Sequence, residues 1–411
     1  MNRLTAFVVS ALATVAAAQD LVVFGNVVHT MAGEPIPNGA VVIRDGKIAA
    51  VGPLSQVTIP SNVRQVRAPV VVPGLIDARS TVGLTGIYNN QREDQDQLET
   101  SAPIQPELRA LDAYNSRDPL VAYLRGFGIT TVHTGHAPGE LISGQTIVVK
   151  TKEANVADAL LKSPAAVVGT LTPAAHRSGG KPGTRGKAFA MMREELIKAR
   201  EHQKKHADAA EDHTENDEKS PPAPNLRLDI LVHVLNNDIP FILTANRAQD
   251  IDSAIRLQQE FGFTLWLDSA AESYLAADRL AALDIPVLIH PPMARAWGGG
   301  ELVNMAMTTP AVLNDAGVTV AMQSGFEGYV PKVRVVLFEA AIAAANGLGF
   351  DGALAAITTT PAAMLGIDER VGSIEVGKDG DLALFDGDPF EYTTHCMATV
   401  IEGVVVSDTP N

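Results

Sequence analysis

The sequence predicts an α/β protein: a (β/α)8, TIM-like barrel joined to a small β-sandwich domain formed by the N- and C-terminal segments. Three observations carry this expectation. Apolar runs fill the middle of the chain, among them GITTVHTG, TIVVKT, AAVVGT, IPFILTAN, FTLWLDS, IPVLIH and VTVAMQS. Such uninterrupted strands belong to a parallel sheet covered on both faces. Helical stretches such as AQDIDSAIRLQQEFG, AESYLAADRLAALD and VRVVLFEAAIAAANGLG separate several of them, and this number of strand–helix units points to a closed barrel. Third, both ends of the chain read as short β-branched strands punctuated by Gly, Asn and Asp turns.

The elements follow in order. Residues 1–18 carry a basic Arg3, an apolar run and Ala16-Ala17-Ala18 before Gln19, the pattern of a secretory signal peptide. Export to the periplasm or the exterior is expected, a compartment that permits disulfides. Cys396 stands alone, so none forms within the chain, and it reads as a small core residue. No other segment is long and apolar enough to span a membrane once the signal is cleaved. Residues 19–72 (LVVFGNVVHT, AVVIRDG, KIAAVGP) and 371–411 (GSIEVGKDGDLALFDGDPF, MATVIEGVVVSD) form the composite β-sandwich domain, since chain termini usually lie close together. Residues 73–370 form the barrel.

A charged stretch at about 187–224 breaks the alternation. It reads as a helical insertion with a Pro-rich return, ENDEKSPPAPN. His202 and His206 lie four apart on it, a spacing that suits a metal. No carboxylate stands in position to complete a site, so a solvated helix face is expected there.

With 411 residues, the chain exceeds one ordinary core. A composition 46% apolar and 19% charged is that of a packed globular protein. The net charge of −15 argues against nucleic acid as a partner, because no basic face neutralises phosphates. The chain holds no G-x-S-x-G elbow, and the GGG at 298–300 lacks the Lys–Ser/Thr of a phosphate loop. No repeat or low-complexity tract supports a purely structural protein.

Three phrases carry a resemblance: VVPGLIDA at 71–78, GITTVHTG at 128–135, and TTTPAAMLGIDERVGSIEVGKDGDLALFDGDP at 358–389. Together they resemble the amidohydrolase superfamily, in its exported, imidazolonepropionase-like form, over nearly the whole mature chain. The resemblance implies hydrolysis of C–N bonds at the C-terminal mouth of the barrel. It also implies Zn or another divalent metal there, which activates water and polarises the carbonyl. The family's metal ligands fall, position by position, on other residues here. The two histidines after strand one fall on Arg79 and Thr81. The H-x-H-R phrase matches TANR, so Thr244 and Asn246 replace histidines while Arg247 is retained. E-H-x-x-E matches DSAAE, which places Ser269 at the histidine and Asp268 at an acid. The strand-eight Asp falls on Gly325, or on Ser324 if the register slips by one.

Hydroxyls and an amide carbonyl are weak ligands for Zn2+, and a fixed guanidinium repels a cation. No metal cofactor is therefore expected at the mouth. Other groups at strand ends, His133, His136, Asp268 and His290, remain candidates for a relocated metal or a metal-free acid–base site. Gln145 reads as a turn or pocket-lining residue, and Trp266 and Trp297 as core or pocket wall. Two functions compete. One is a non-catalytic pseudo-enzyme that binds a small anionic ligand through Arg79, Arg247, Asn246 and Gln145, or that pairs with a histidine-complete amidohydrolase or with itself. The other is an active hydrolase working through the relocated site.

Overall fold

The structure, a computed structural model, describes residues 20–87, 95–176, 182–212, 223–290, 299–326 and 336–410. The expected signal peptide, Trp297 and residues 213–222, which include most of the Pro-rich return, lie outside the described residues.

The chain opens with β1 (Leu21–Val28), β2 (Ile36–Arg44), β3 (Lys47–Pro53) and β4 (Arg64–Pro73). β1 pairs antiparallel with β2 and parallel with β4. Pro73–Gly74 then redirects the chain into the barrel. At Gly74 a Cβ would lie 2.2 Å from Thr130 Oγ1, so only glycine lets the strand pass this close to its neighbour.

The barrel strands are β5 (Leu75–Ser80), β6 (Ile129–Gly135), β7 (Ile142–Lys150), the short β8 (Leu160–Lys162), β9 (Val167–Thr170), β10 (Phe241–Thr244), β11 (Leu265–Ser269), β12 (Val287–Ile289) and β13 (Val320–Met322). They lie side by side as β5-β6-β7-β9-β10-β11-β12-β13, with β8 paired to β7. Ser80 bridges Gly325 in parallel, and the Gly325 amide donates to Arg79 O at 3.3 Å, so the last strand's end returns to the first and the ring nearly closes. One strand departs from the all-parallel expectation: β7 runs antiparallel to both β6 and β9. Only residues 136–141 connect β6 to β7, whereas a parallel crossover needs a dozen residues or more.

Ile76, Ala78, Val148, Val168, Ile242, Trp266, Leu288 and Ala321 form a separate apolar cluster drawn from seven barrel strands. They fill the barrel as a core, and Trp266 is part of it. The larger cluster, including Leu75, Val132, Leu243, Leu267 and Phe241, packs the strands against the outer helices.

The last strands, β14 (Leu382–Phe385), β15 (Cys396–Ile401) and β16 (Val404–Ser407), complete a seven-stranded sheet, β16-β15-β14-β4-β1-β2-β3. The two ends of the chain meet where β14 pairs antiparallel with β4. Gly380 N donates to Gly46 O, and Gly403 N donates to Gly380 O, which brings the turns of the two sheet edges together. The sheet therefore curls around Leu21, Val23, Val41, Ile43, Leu382, Leu384 and Val400. Lys150 at the end of β7 is buried and reaches Asp379 at 2.6 Å, Asp381 at 3.0 Å and Glu402 at 3.1 Å, linking barrel to sheet. Cys396 is buried in the core, where burial pushes its thiol up to about 11.

The charged stretch is a 28-residue helix, Arg185–Asp212. Ala188, Met192, Leu196 and Ala199 recur at three- and four-residue spacing and are buried in the main core, so its first half covers the barrel instead of leaving it. The helix Leu226–Leu235 packs beside its second half, and there the sequence expectation fails. Asp229 accepts from His202 Nε2 at 2.7 Å, so a carboxylate does stand beside His202 and His206. Nothing in the spacing of the sequence shows it, because Asp229 lies 27 residues away across the return. Among the described residues no single helix is long and apolar enough to cross a membrane.

Candidate functional site

The mouth of the barrel is built around the end of β5, where PGLIDARST delivers Asp77, Arg79 and Thr81. Arg79 is 1% exposed. Its guanidinium donates to Ser80 O at 2.8 Å and to His136 O, and stacks over the Phe326 ring at 5.1 Å. Burial pushes it down to about 10, opposed by the charges of Asp268 and Asp77; it remains a cation at neutral pH. Its Nε is buried with no acceptor among the described residues.

Two buried carboxylates face this charge. Asp77 accepts from Arg79 N at 3.2 Å, Ser324 N at 3.1 Å and the Ser324 hydroxyl. Burial nevertheless pushes its carboxyl up to about 7, against those hydrogen bonds and the Arg79 charge. Asp268, at the end of β11, accepts from Thr244 Oγ1 at 2.7 Å, Ser269 Oγ at 3.1 Å and Gln323 Nε2 at 2.6 Å. Burial raises its carboxyl too, with the Arg79 charge the largest opposing influence. Thr244 and Ser269, the residues expected at histidine positions by resemblance, thus serve as donors to this acid. Ser269 holds a left-handed φ of +68°.

The strand-end imidazoles do not assemble into a site. His133 is sealed: Nδ1–H donates to Ala78 O at 2.8 Å, and Nε2 accepts from the Thr146 hydroxyl at 2.7 Å. Burial, with Arg79 adding to it, pushes it down to about 3, so it is neutral with both nitrogens engaged. His136 holds Arg79 through its backbone oxygen, while burial and that same guanidinium push its ring down to about 4. The His290 ring lies against Gly325: a Cβ there would be 2.4 Å from His290 Nε2, and Gly325 has φ +79°. The imidazole fills the space that a side chain at position 325 would enter. Among the described residues, His133, His136, Asp268 and His290 form no group of three within metal-coordinating reach; only His202, His206 and Asp229 do.

The other expected residues separate from this centre. Arg247 is half-exposed; it donates to Gly300 O and pairs with Glu301 at 3.3 Å, so its charge is spent on the loop across from it. Asn246 presents an unpartnered Oδ1, while its backbone oxygen accepts from Glu272 N. Gln145 donates to Pro106 O at 3.0 Å and its amide to Leu108 O, tying β7 to the loop ahead of it. Thr81 accepts from Thr85 Oγ1 at 3.3 Å. A divalent ion does not fit this donor set. The end of the first barrel strand holds a buried cation anchored by two backbone carbonyls, an imidazole lies against Gly325, and the hydroxyls of Ser324, Thr244 and Ser269 are committed to Asp77 and Asp268. Sequence reading passed over Asp77, Gln323 and Phe326. Asp77 had a signal, since it ends the PGLID phrase, but its burial depends on Ser324, 247 residues away.

Residues 325–407 match a family model described as Amidohydrolase family, and residues 39–58 match one described as Imidazolonepropionase-like composite domain, bacteria. The fold superimposes on an amidohydrolase from Thermotoga maritima MSB8 with a TM-score of 0.86 and 28% identity, over 95% of this chain and 100% of that one. The chain thus resembles amidohydrolases in its C-terminal sequence and in its whole fold. A curated relative, Amidohydrolase tasK of Hapsidospora irregularis, is 34% identical over 99 residues, which is 24% of this chain and 10% of that protein. The chain thus spans about a tenth of that relative's length. An adenosine deaminase from Xanthomonas campestris with bound zinc shares the fold at TM-score 0.55 and 16% identity, over 94% of this chain and 92% of that one. The chain therefore shares the barrel and composite sheet of these structures.

Proposed function

We propose that this amidohydrolase-family protein is an exported, non-hydrolytic member whose barrel mouth holds a small carboxylate-bearing ligand in place of a catalytic metal. The observation that carries the reading is Arg79, a buried guanidinium anchored at the strand-one ligand position and facing Asp77 and Asp268. A guanidinium suits a carboxylate because its planar fork donates in two directions, and Arg79 retains one unspent N–H at Nε. Arg247 adds nothing to this floor, since Glu301 and Gly300 already engage it. Export rests on Arg3, the apolar run and Ala16-Ala17-Ala18, and is tested by the mass of the mature chain, expected to begin at Gln19.

Metal analysis with the arm histidines His202 and His206 replaced counts the mouth alone. A stoichiometric divalent ion in that protein overturns the proposal. Thermal stabilisation by small mono- and dicarboxylates, reduced in Arg79→Lys, supports it. A partner role predicts co-purification with a histidine-complete amidohydrolase or self-association, and a monomer without such a companion rejects that part.

One observation favours the second reading, an active hydrolase. The Asp77 carboxyl near 7 is poised for acid–base work. Turnover of cyclic amides or dipeptides that is lost in Asp77→Asn would replace the first reading with this one.

A further inference from the structure

We propose that the helical arm carries a second, unrelated metal site: a zinc-class ion held by His202, His206 and Asp229, clasping the helix Arg185–Asp212 to the helix Leu226–Leu235. The inference does not rest on the reading of the barrel mouth.

The geometry supplies it. His202 and His206 sit one turn apart on the longer helix, their ring centroids 4.4 Å apart in an edge-on arrangement. Side chains four apart on a helix share a face, and this face meets the neighbouring helix. Asp229 projects from that neighbour, its Oδ1 2.7 Å from His202 Nε2. Its other oxygen is fixed by the Asn225 amide at 2.9 Å. One donor atom from each of the three residues lies within 4.8 Å of the others. All three side chains are half-buried, between the open surface and the core.

A bland explanation exists, a His–Asp hydrogen bond on a helix pair. It accounts for His202 and leaves His206 unexplained. His206 Nε2 is buried and has no hydrogen-bond partner among the described residues, although it stands beside a carboxylate and a second imidazole. Buried polar atoms are rarely left this way, and an ion satisfies all three groups at once. Ligands about 2.0 Å from a tetrahedral centre lie about 3.3 Å apart, so the His202–Asp229 pair opens by only about half an ångström to admit one.

The donor set selects the metal. Two imidazoles and one carboxylate suit zinc and its first-row neighbours, whereas Ca2+ and Mg2+ demand six or more oxygens. Three protein ligands leave a fourth position for water, so the ion is exchangeable and a chelator removes it.

The test titrates Zn2+ by calorimetry into the EDTA-stripped mature chain, with Co2+ absorption reporting the coordination. One equivalent is expected, with a tetrahedral Co2+ spectrum and a higher melting temperature. His206→Gln and Asp229→Asn each weaken binding by more than about tenfold, the low end of the loss caused by removing even an outer partner of a metal ligand. His233→Ala and His395→Ala, at exposed His–Asp pairs elsewhere, leave it unchanged. Far-UV circular dichroism verifies that the variants keep their helices. A wild-type chain that takes up no zinc overturns the proposal, as does an equivalent retained at full affinity in both His206→Gln and Asp229→Asn.

Discussion

Asp77→Asn turns the electrostatics of the mouth into a measurement. Burial pushes the Asp77 carboxyl from its ordinary 3.8 to about 7, because the cost of burying its charge exceeds what the Ser324 and Arg79 hydrogen bonds return. The direction of the linkage follows. Between about 4 and 7 the unfolded chain has ionised at this position and the folded chain has not, so folding takes up a proton and stability falls as pH rises. Above about 7 both states are ionised and the penalty is constant. Three pKa steps at 1.36 kcal/mol each make that penalty about 4 kcal/mol, an upper bound. Asparagine stays neutral at every pH. Its Oδ1 still accepts from the Arg79 and Ser324 amides, and its NH2 faces the Ser324 hydroxyl, which turns to accept. Melting curves of both chains from pH 4.5 to 8.5 give the assay, and the difference between them isolates this one group. The variant is expected to gain on the wild type as pH rises to about 7, then to hold a constant lead. A difference that is flat, or that shrinks with rising pH, refutes the claim that a buried, proton-retaining acid sits beside Arg79.

Three further substitutions probe the same construction. Gly325→Ala forces a Cβ to 2.4 Å from His290 Nε2 at a left-handed φ and is expected to cost about 1–3 kcal/mol in denaturant unfolding; Gly325→Asp is expected to suffer similarly and to recruit no metal. Lys150→Met strips the shared cation from the buried Asp379 and Asp381. It is expected to cost about 3–5 kcal/mol, since one side of a buried ion pair is left behind, and to separate the melting of sheet and barrel in calorimetry. Thr244→Val removes the 2.7 Å hydrogen bond to Asp268. A loss of about 1–3 kcal/mol is expected, with the Asp268 carboxyl rising further, readable as a steeper fall in stability toward alkaline pH than in the wild type.

The fold was more legible in the sequence than the site. The apolar strand runs and the GKDGDLALFD return announce a barrel with a composite sheet because burial on both faces writes a continuous apolar signature. The reversal of β7 was hidden, since TIVVKT reads the same in either direction and only the six-residue link to β6 decides it. At the mouth, the positions of Arg79 and Gly325 could be read by resemblance, but their consequences could not. That His290 fills the space beside Gly325 is a contact between the ends of neighbouring strands 35 residues apart in the chain, and that Ser324 fixes Asp77 is a contact across the closing seam of the barrel, 247 residues apart. The arm failed for the same reason: helical periodicity pairs His202 with His206 and is silent about Asp229.

These contacts explain why no single change makes the mouth a metal site. Replacing Arg79 with an imidazole frees the Ser80 and His136 carbonyls and restores a single nitrogen ligand. The strand-eight position stays shut, because Gly325 has neither the φ nor the room for a carboxylate while His290 lies against it. Thr244 and Ser269 remain donors to Asp268, and an acid receiving three hydrogen bonds has little capacity left for an ion. Each replacement holds its neighbour in place, so the altered positions act as one polar network with a guanidinium at its centre. The apolar barrel core of Ile76, Val148, Ile242, Trp266 and Leu288 forms a cluster of its own beneath that network. A core packed from strand interiors and a mouth built at strand ends can vary independently, which is how one barrel scaffold hosts unrelated activities.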